Sequence, residues 1–387
     1  MISDAQTQSL HPARAEVDLA AIRENVAAVC RHVAPAGVMA VVKADAYGHG
    51  AVPVARAALQ SGASRLAVAH LAEAIELRNA GIHAPILVFG GFLPQQLPEY
   101  HQYRLEMVLP HEQYWNELRR FAENNQQPVP VHLKFDTGMG RLGFPWQQCD
   151  EVLQKIAGAS FLRPVGLMSH FATADEADKS FADEQLRRFR HVCKAAQGVG
   201  LAHAVMHMAN SGAVLDLPDS RFQLVRPGIM LYGYYPSAET TESVPLRPAL
   251  RWVSRLIQVK PVAAGETVSY GATWHAERDT VIGTVATGYA DGYLRALAGK
   301  MQVLVQGKRV PVVGRICMDM FMVDLGPDSH ARAGEDVVLL GEQGDERIRI
   351  AEFCQALDTI PYEITCMISK RVPRVWLHEH PSPASSR

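Results

Sequence analysis

The sequence predicts an α/β protein in two parts, an N-terminal (β/α)8 barrel followed by a mainly β C-terminal domain. Three observations carry that expectation. Short apolar runs alternate with helical patterns from about residue 18 to 240. From about 245 the long helical patterns fall away, and strand-like runs follow one another across turns. Between the two lies "YYPSAETTESVPLRP", rich in Ser, Thr, Pro and Glu, which reads as a junction. The boundaries are therefore set at 1–243 and 244–387, with about the first 15 residues an extension.

The elements follow in chain order. Asp18 can cap a helix whose apolar positions Ile22, Val26, Val29 and Val33 recur three and four residues apart. Eight runs then read as buried parallel strands: "VMAVVK", "RLAVAH", "PILVFG", "LEMVLP", "VHLKFD", "PVGLMSH", "AVMHMANS" and "FQLVRPGI". Most are followed by a helical segment such as "LAEAIELRNAG", closed by Gly81. Eight such units suggest a closed barrel, with a doubly wound open sheet as the alternative. The later runs "RWVSRLIQV", "TVIGTVATGY", "MQVLVQG", "RVPVVGRI", "MFMVDL" and "EDVVLLG" make up the second domain.

Composition narrows the function. With 48% hydrophobic and 20% charged residues the chain can bury a large core. A net charge of −2, with both signs interspersed, speaks against nucleic-acid or membrane surfaces and favours a small, nearly neutral partner. No apolar run is long enough to span a bilayer. The N-terminal stretch "MISDAQTQSLHPARAEVDL" has neither the basic start nor the apolar core of a secretory signal, so a cytoplasmic protein is expected. Six scattered cysteines without a C-x-x-C fit free thiols, and sixteen histidines include no H-E-x-x-H, so no metal is expected.

Barrels gather their chemistry at the carboxyl ends of the strands. Here those positions hold Lys43, Asp136, His170, Asn210, Ser211 and Arg226. An ammonium at the end of a buried strand is costly to desolvate and ordinarily snorkels to water. The convergence of polar groups on one rim makes Lys43 a site lysine instead. "GMGRLG", residues 138–143, matches the dinucleotide fingerprint G-x-G-x-x-G. Phe144 and Pro145 delay the following helix, however, and the next strand ends in His170, not in an acidic residue. A glycine-rich turn that presents Arg141 at the rim is the better reading.

"AVVKADAYGHG", "KFDTGMGRLG", "SHFATAD", "HMANSGA", "VRPGIMLYG", "VSYGATW", "TGYADGY", "RICMDM" and "PYEITCMISKRVPRV", in that order, resemble the alanine racemase family. The resemblance covers nearly the whole chain. It implies a pyridoxal 5'-phosphate (PLP) enzyme with the two-part architecture above, working as a head-to-tail homodimer with shared active sites. Lys43 is then the lysine that holds the cofactor covalently and serves as base for the D-enantiomer. Tyr270 is the base for the L-enantiomer, contributed from the second subunit. His170 and Arg226 extend a hydrogen-bond chain from that tyrosine, and Arg226 belongs at the cofactor's ring nitrogen. Tyr47, Asn210, Ser211, Gly228, Ile229 and Tyr362 are implied around the cofactor, chiefly at its phosphate. Arg141, Met318 and Asp319 are implied at the substrate carboxylate. Lys134 matches a lysine that is often carbamylated in the family. Asp175, Tyr289, Arg315 and Ile360 match the narrow substrate entry. The same plan occurs in broader-specificity racemases that also take serine and in basic-amino-acid decarboxylases, and the barrel alone in non-catalytic PLP-binding proteins. The lysine at 134, the motifs "VSYGATW" and "CMDM", and the second domain favour alanine racemase over each.

Overall fold

All eight apolar runs of the first part form strands, because each is a short, mostly apolar segment that a sheet covered on both faces can bury. The computed structural model describes residues 10–379; the ends of the predicted terminal segments, 1–9 and 380–387, lie outside them. We number strands in chain order. The first, β1 (Arg14–Asp18), belongs to the second unit. The barrel strands are β2 (Gly37–Val41), β3 (Arg65–Val68), β4 (Ile86–Val88), β5 (Glu106–Leu109) and β6 (Val129–Asp136), then, beyond a two-residue strand β7 (Phe144–Pro145) paired to β6, β8 (Leu162–Met168), β9 (Val205–His207) and β10 (Leu224–Val225). They pair in parallel in the order β10-β2-β3-β4-β5-β6-β8-β9. Between β9 and β10 irregular bonds bridge the seam, from Arg226 N–H to the Ala209 carbonyl at 2.9 Å and from Gln223 N–H to the Met206 carbonyl at 3.3 Å. The barrel is nearly closed, and the open-sheet alternative is set aside.

Local signals behave as their chemistry dictates. Asp18 Oδ1 accepts the Ala20 N–H at 2.8 Å at the start of the helix Leu19–Val33, whose Ile22, Val26, Val29 and Val33 are buried. The helix Leu71–Asn79 ends at Gly81, with φ +80°, where the Gly81 N–H reaches the Arg78 carbonyl. In "GMGRLG" no helix starts at the glycines; the next one runs Cys149–Ala157 after β7 and a short 3₁₀ turn.

The second unit gathers β1 and Tyr47–Gly50 with the chain from Pro248 onward. Its strands are β11 (Leu250–Val262), β12 (Thr267–Val268), β13 (Trp274–His275), β14 (Thr280–Val285), β15 (Gln302–Val305), β16 (Lys308–Val313), β17 (Phe321–Asp324), β18 (Asp336–Gln343), β19 (Glu346–Ile348) and β20 (Arg374–Leu377). The order β19-β18-β15-β16-β17-β14-β11-β1-β20, with β18 also paired to β11, closes six of these strands into a ring. β12 and β13 form a separate hairpin. Two short helices, Ile350–Leu357 and Pro361–Met367, complete the unit. Among the described residues no helix is long and apolar enough to cross a membrane, and the six cysteines form no disulfide.

Candidate active site

The carboxyl-end rim of the barrel collects the charged groups that the strands cannot bury. Lys43 stands just past β2, half-buried, and opens one turn of left-handed helix, with φ between +52° and +54° at Ala44, Asp45, Ala46 and Tyr47 and +81° at Gly48. Such a turn crowds each Cβ against the next carbonyl and costs about 1–2 kcal/mol per non-glycine residue. Its surroundings hold it. Glu73 Oε1 accepts the Ala44 N–H at 2.6 Å, while Asp45 Oδ1 accepts the Ala51 N–H at 2.7 Å. Glu73, absent from the sequence-level site, also accepts from Ala69 and His70 N–H, so the Lys43 turn is pinned to the end of β3.

Arg226, following β10, is 4% exposed. Its Nη2 donates to the Ser169 carbonyl at 2.7 Å, the Met208 carbonyl at 3.0 Å and His170 Nδ1 at 3.2 Å, and its Nη1 to His207 Nδ1 at 2.8 Å. Burial lowers this guanidinium to about 9, still charged at neutral pH. Burial, then the cations Arg226, Arg141, Lys134 and Lys43, hold His170 well below the usual imidazole range. His170 is therefore neutral, with Nδ1 accepting and its proton on Nε2. Gln185 fixes this loop by donating to the His170 carbonyl at 3.0 Å and accepting the Ala172 N–H at 2.8 Å.

Lys134, near the end of β6, is 5% exposed and has no ion pair within 4.0 Å among the described residues. Burial, with Arg141 and Arg226, lowers its amine to about 8, against the pull of Asp136. Asp136 Oδ1 instead accepts the Gly138 and Gly140 N–H groups at 2.9 and 3.1 Å, which shapes the glycine turn carrying the exposed Arg141. Asn210 caps the helix Ser211–Asp216, its Oδ1 accepting from Ala213 at 3.0 Å. Ser211 Oγ accepts the Gly228 N–H at 2.9 Å, where Gly228 leads into the 3₁₀ turn Ile229–Tyr232. Asp175 lies beside this helix: a Cβ at Gly212 would come 2.9 Å from the Ala174 carbonyl. Cys149, Asp150 and His191, on the outer helices, bring three donor atoms within 4.8 Å of one another, two of these residues being exposed.

The remaining predicted residues belong to the second unit, which groups them on its own surface. Tyr270 is 69% exposed on a turn where Ser269 (φ +73°), Gly271 (+77°) and Ala272 (+46°) all take the left-handed region. Ser269 Oγ donates to the Arg315 carbonyl at 2.6 Å, and Gly271 lets the Arg315 guanidinium approach, a Cβ there lying 3.1 Å from it. The Tyr289 N–H donates to the Cys317 carbonyl and the Ala290 N–H to the Met318 carbonyl, both at 3.0 Å. Tyr270, Tyr289, Arg315 and Met318 thus share one scaffold. Asp319 is held by two Arg371 N–H groups at 2.9 Å. Ile360 precedes the helix of Tyr362, whose ring lies 5.8 Å from that of Tyr47. Burial, then Tyr362 and Cys366, push the Tyr47 phenol up.

A parallel barrel with a lysine, an arginine–histidine pair and a buried amine at its carboxyl rim, joined in sequence to a mainly β unit, defines a class of two-part barrel enzyme. The comparisons with known proteins name the family. The alanine racemase N-terminal domain matches residues 17–236 and the alanine racemase C-terminal domain residues 249–376. Alanine racemase from Desulforamulus reducens is 43% identical over 95% of this chain and 99% of its own. The crystal structure of alanine racemase from a D-cycloserine-producing Streptomyces lavendulae superposes with a TM-score of 0.90 at 39% identity, covering 96% of this chain and 99% of that one. Alanine racemase from Bartonella henselae, solved with covalently bound pyridoxal phosphate, gives 0.85 at 29% identity over 95% and 99%. The chain belongs to the alanine racemase family, whose members are isomerases. A broader-specificity racemase is not favoured.

Proposed function

We propose that this protein is a PLP-dependent alanine racemase that interconverts L- and D-alanine with two bases. The observation that carries this reading is the half-buried Lys43 on one barrel rim with Arg226, His170, Lys134 and Arg141, in a chain of the alanine racemase family. The donor set suits PLP. A primary amine is present at Lys43, while the Ser211 hydroxyl, which accepts the Gly228 N–H, keeps its own proton to donate, and with the first N–H groups of the 229–232 turn it would meet a phosphate. Tyr47 and Tyr362 would bind the phosphate, and Asn210 would orient Ser211 through the helix it caps.

When bound, PLP withdraws electrons from the substrate Cα so that its proton can leave. Lys43 Nζ takes or returns that proton for the D-enantiomer, and Tyr270 Oη does so for the L-enantiomer. Arg226 presents only N–H donors and keeps its own proton. His170 Nε2–H is the donor that lets a phenol serve as base. Arg141 and the Met318 N–H bind the substrate carboxylate, with Asp319 beside them. Lys134, carbamylated on its neutral amine, would turn from cation to anion and orient Arg141. Asp175, Tyr289, Arg315 and Ile360 line the entry.

The same reading makes the enzyme a cytoplasmic head-to-tail homodimer divided near 243/244, each site completed by the partner's Tyr270. The exposure of Tyr270, Tyr289, Met318, Met320 and Ile360 on the second unit supports it, since large apolar side chains left in water mark an interface. Incubating the purified protein with L-alanine, with and without PLP, tests the activity: optical rotation should decay to zero only with cofactor. Borohydride reduction should fix a pyridoxyl group on the Lys43 peptide, and labelling of another lysine would overturn that assignment.

A further inference from the structure

A continuous line of hydrogen bonds crosses the barrel interior from Arg226 at the rim to Glu106 at the opposite, amino end of the strands. Arg226 Nη1 meets His207 Nδ1 at 2.8 Å, His207 Nε2 meets His132 Nδ1 at 2.8 Å, and His132 Nε2 meets Glu106 Oε2 at 2.9 Å. Arg65 Nη1 closes the line on both Glu106 oxygens, each at 2.9 Å. Both imidazoles are fully buried, at 0% exposure.

Donor chemistry gives this line one direction. A guanidinium can only donate, so His207 Nδ1 must accept and the His207 proton sits on Nε2. That N–H donates to His132 Nδ1, which places the His132 proton on Nε2, aimed at the carboxylate. From Arg226 to Glu106 each donor points toward the carboxylate, which Arg65 meets from its other side. Burial holds both imidazoles below their usual range, so they stay neutral between a fixed cation and a fixed anion. The charged groups that act on them are Arg65, Glu106 and Arg226. The barrel makes room for this on purpose-sized terms: Gly166 pairs opposite His132 on β8, and a Cβ there would lie 2.1 Å from His132 Nδ1. Glu106 also lines an open cavity of about 900 Å³ with Arg104, Arg163, Tyr100 and Phe121, so the far end of the line meets solvent.

We propose that Glu106, with Arg65 as its counter-ion, is a positioning residue for Arg226, acting through His132 and His207. The carboxylate polarises both N–H bonds toward itself, makes His207 Nδ1 a stronger acceptor, and so fixes the plane and the charge of the guanidinium. The functional consequence rests on the reading that Arg226 belongs to the cofactor site; the direction of the line does not.

The two parts are tested separately. In cofactor-free protein labelled with ¹⁵N-histidine, His132 and His207 should both be neutral and protonated on Nε2 from pH 6.5 to 9. Either one protonated on Nδ1, or cationic, overturns the proposal. Glu106→Gln retains an acceptor for His132 but removes the charge. It should shift the His207 Nδ1 resonance and lower kcat about tenfold, with KM within about twofold and a displaced kcat–pH profile; Glu106→Asp should recover most of this. Wild-type kcat, pH profile and His207 resonances in E106Q overturn the positioning role. If E106Q does not fold, Arg65→Gln leaves a more basic carboxylate and should move the His132 Nε2 proton downfield, and an unmoved proton counts against the proposal. A wild-type protein with the expected tautomers but no racemase activity would sink the proposed function and leave the line standing.

Discussion

Arg226 Nη2 donates to His170 Nδ1 at 3.2 Å, while Nη1 of the same guanidinium donates to His207 Nδ1 at 2.8 Å. One arginine thereby dictates the tautomer of two imidazoles, and neither can take a second proton without facing that cation. Neutral buried histidines make stability depend on acid. In the folded state His170 and His207 lie well below their usual 6.5, so the unfolded chain binds more protons as pH falls through that value. Stability is full above it and is lost below. Between pH 6.5 and 5.5 the two groups should cost about 2 kcal/mol, read as a falling urea midpoint. The low Glu106 carboxyl titrates beneath this window, so a flat midpoint across it would mean that the imidazoles are not held neutral.

Lys134 has an amine near 8, so its neutral, CO₂-reactive form grows between pH 7 and 9. Protein equilibrated with ¹³C-bicarbonate should show a carbamate carbon that increases over this range and is absent from Lys134→Ala. Absence of that signal in the wild type at pH 8.5 would remove the carbamate from the mechanism.

Tyr270 is exposed, so Tyr270→Phe should change stability by no more than about 0.5 kcal/mol. Loss of a base should still slow racemisation about a hundredfold or more. If sites are shared, co-expression of Lys43→Ala with Tyr270→Phe yields mixed dimers that hold one intact site, and activity should return to about a quarter of wild type. Recovery that stays at zero would place both bases in one chain.

Gly288 has no room for a side chain: a Cβ would lie 2.2 Å from the Met318 carbonyl oxygen and 2.4 Å from that of Cys317. Gly288→Ala must push backbone away from backbone, and should cost about 2–3 kcal/mol while displacing Tyr289 and Met318. Gly198→Ala, with nothing within 4 Å of the added carbon at a helix end, is the matching control and should be neutral or slightly stabilising. Equal melting temperatures for the two variants would refute this.

Ala44 holds φ +52° in the left-handed turn beside Lys43, with its side chain exposed. Ala44→Gly removes the Cβ–carbonyl crowding and should stabilise the protein by about 1 kcal/mol. A lower melting temperature would mean that the turn is not strained.

The architecture and the polar rim were legible in the residue pattern alone. Apolar runs of strand length can be buried only in a covered sheet, so all eight became barrel strands, and their polar ends put Lys43, Lys134, His170 and Arg226 on one rim. The delay at Phe144 and Pro145 spoke against a helix at the glycine motif, and none begins there. Tertiary structure decided what periodicity cannot encode. "RAEVD" alternates like any amphipathic strand, yet it pairs with β11 and β20, because register depends on partners more than 200 residues away. Glu73, Glu106, His132 and His207 went unread as site residues, although polar letters inside "LEMVLP", "VHLKFD" and "AVMHMANS" were a visible signal. Whether such a letter points into the barrel and finds a partner depends on strand stagger and on the missing Cβ of Gly166. A one-dimensional pattern places a charge on a strand; only the closed barrel decides which other charge it meets.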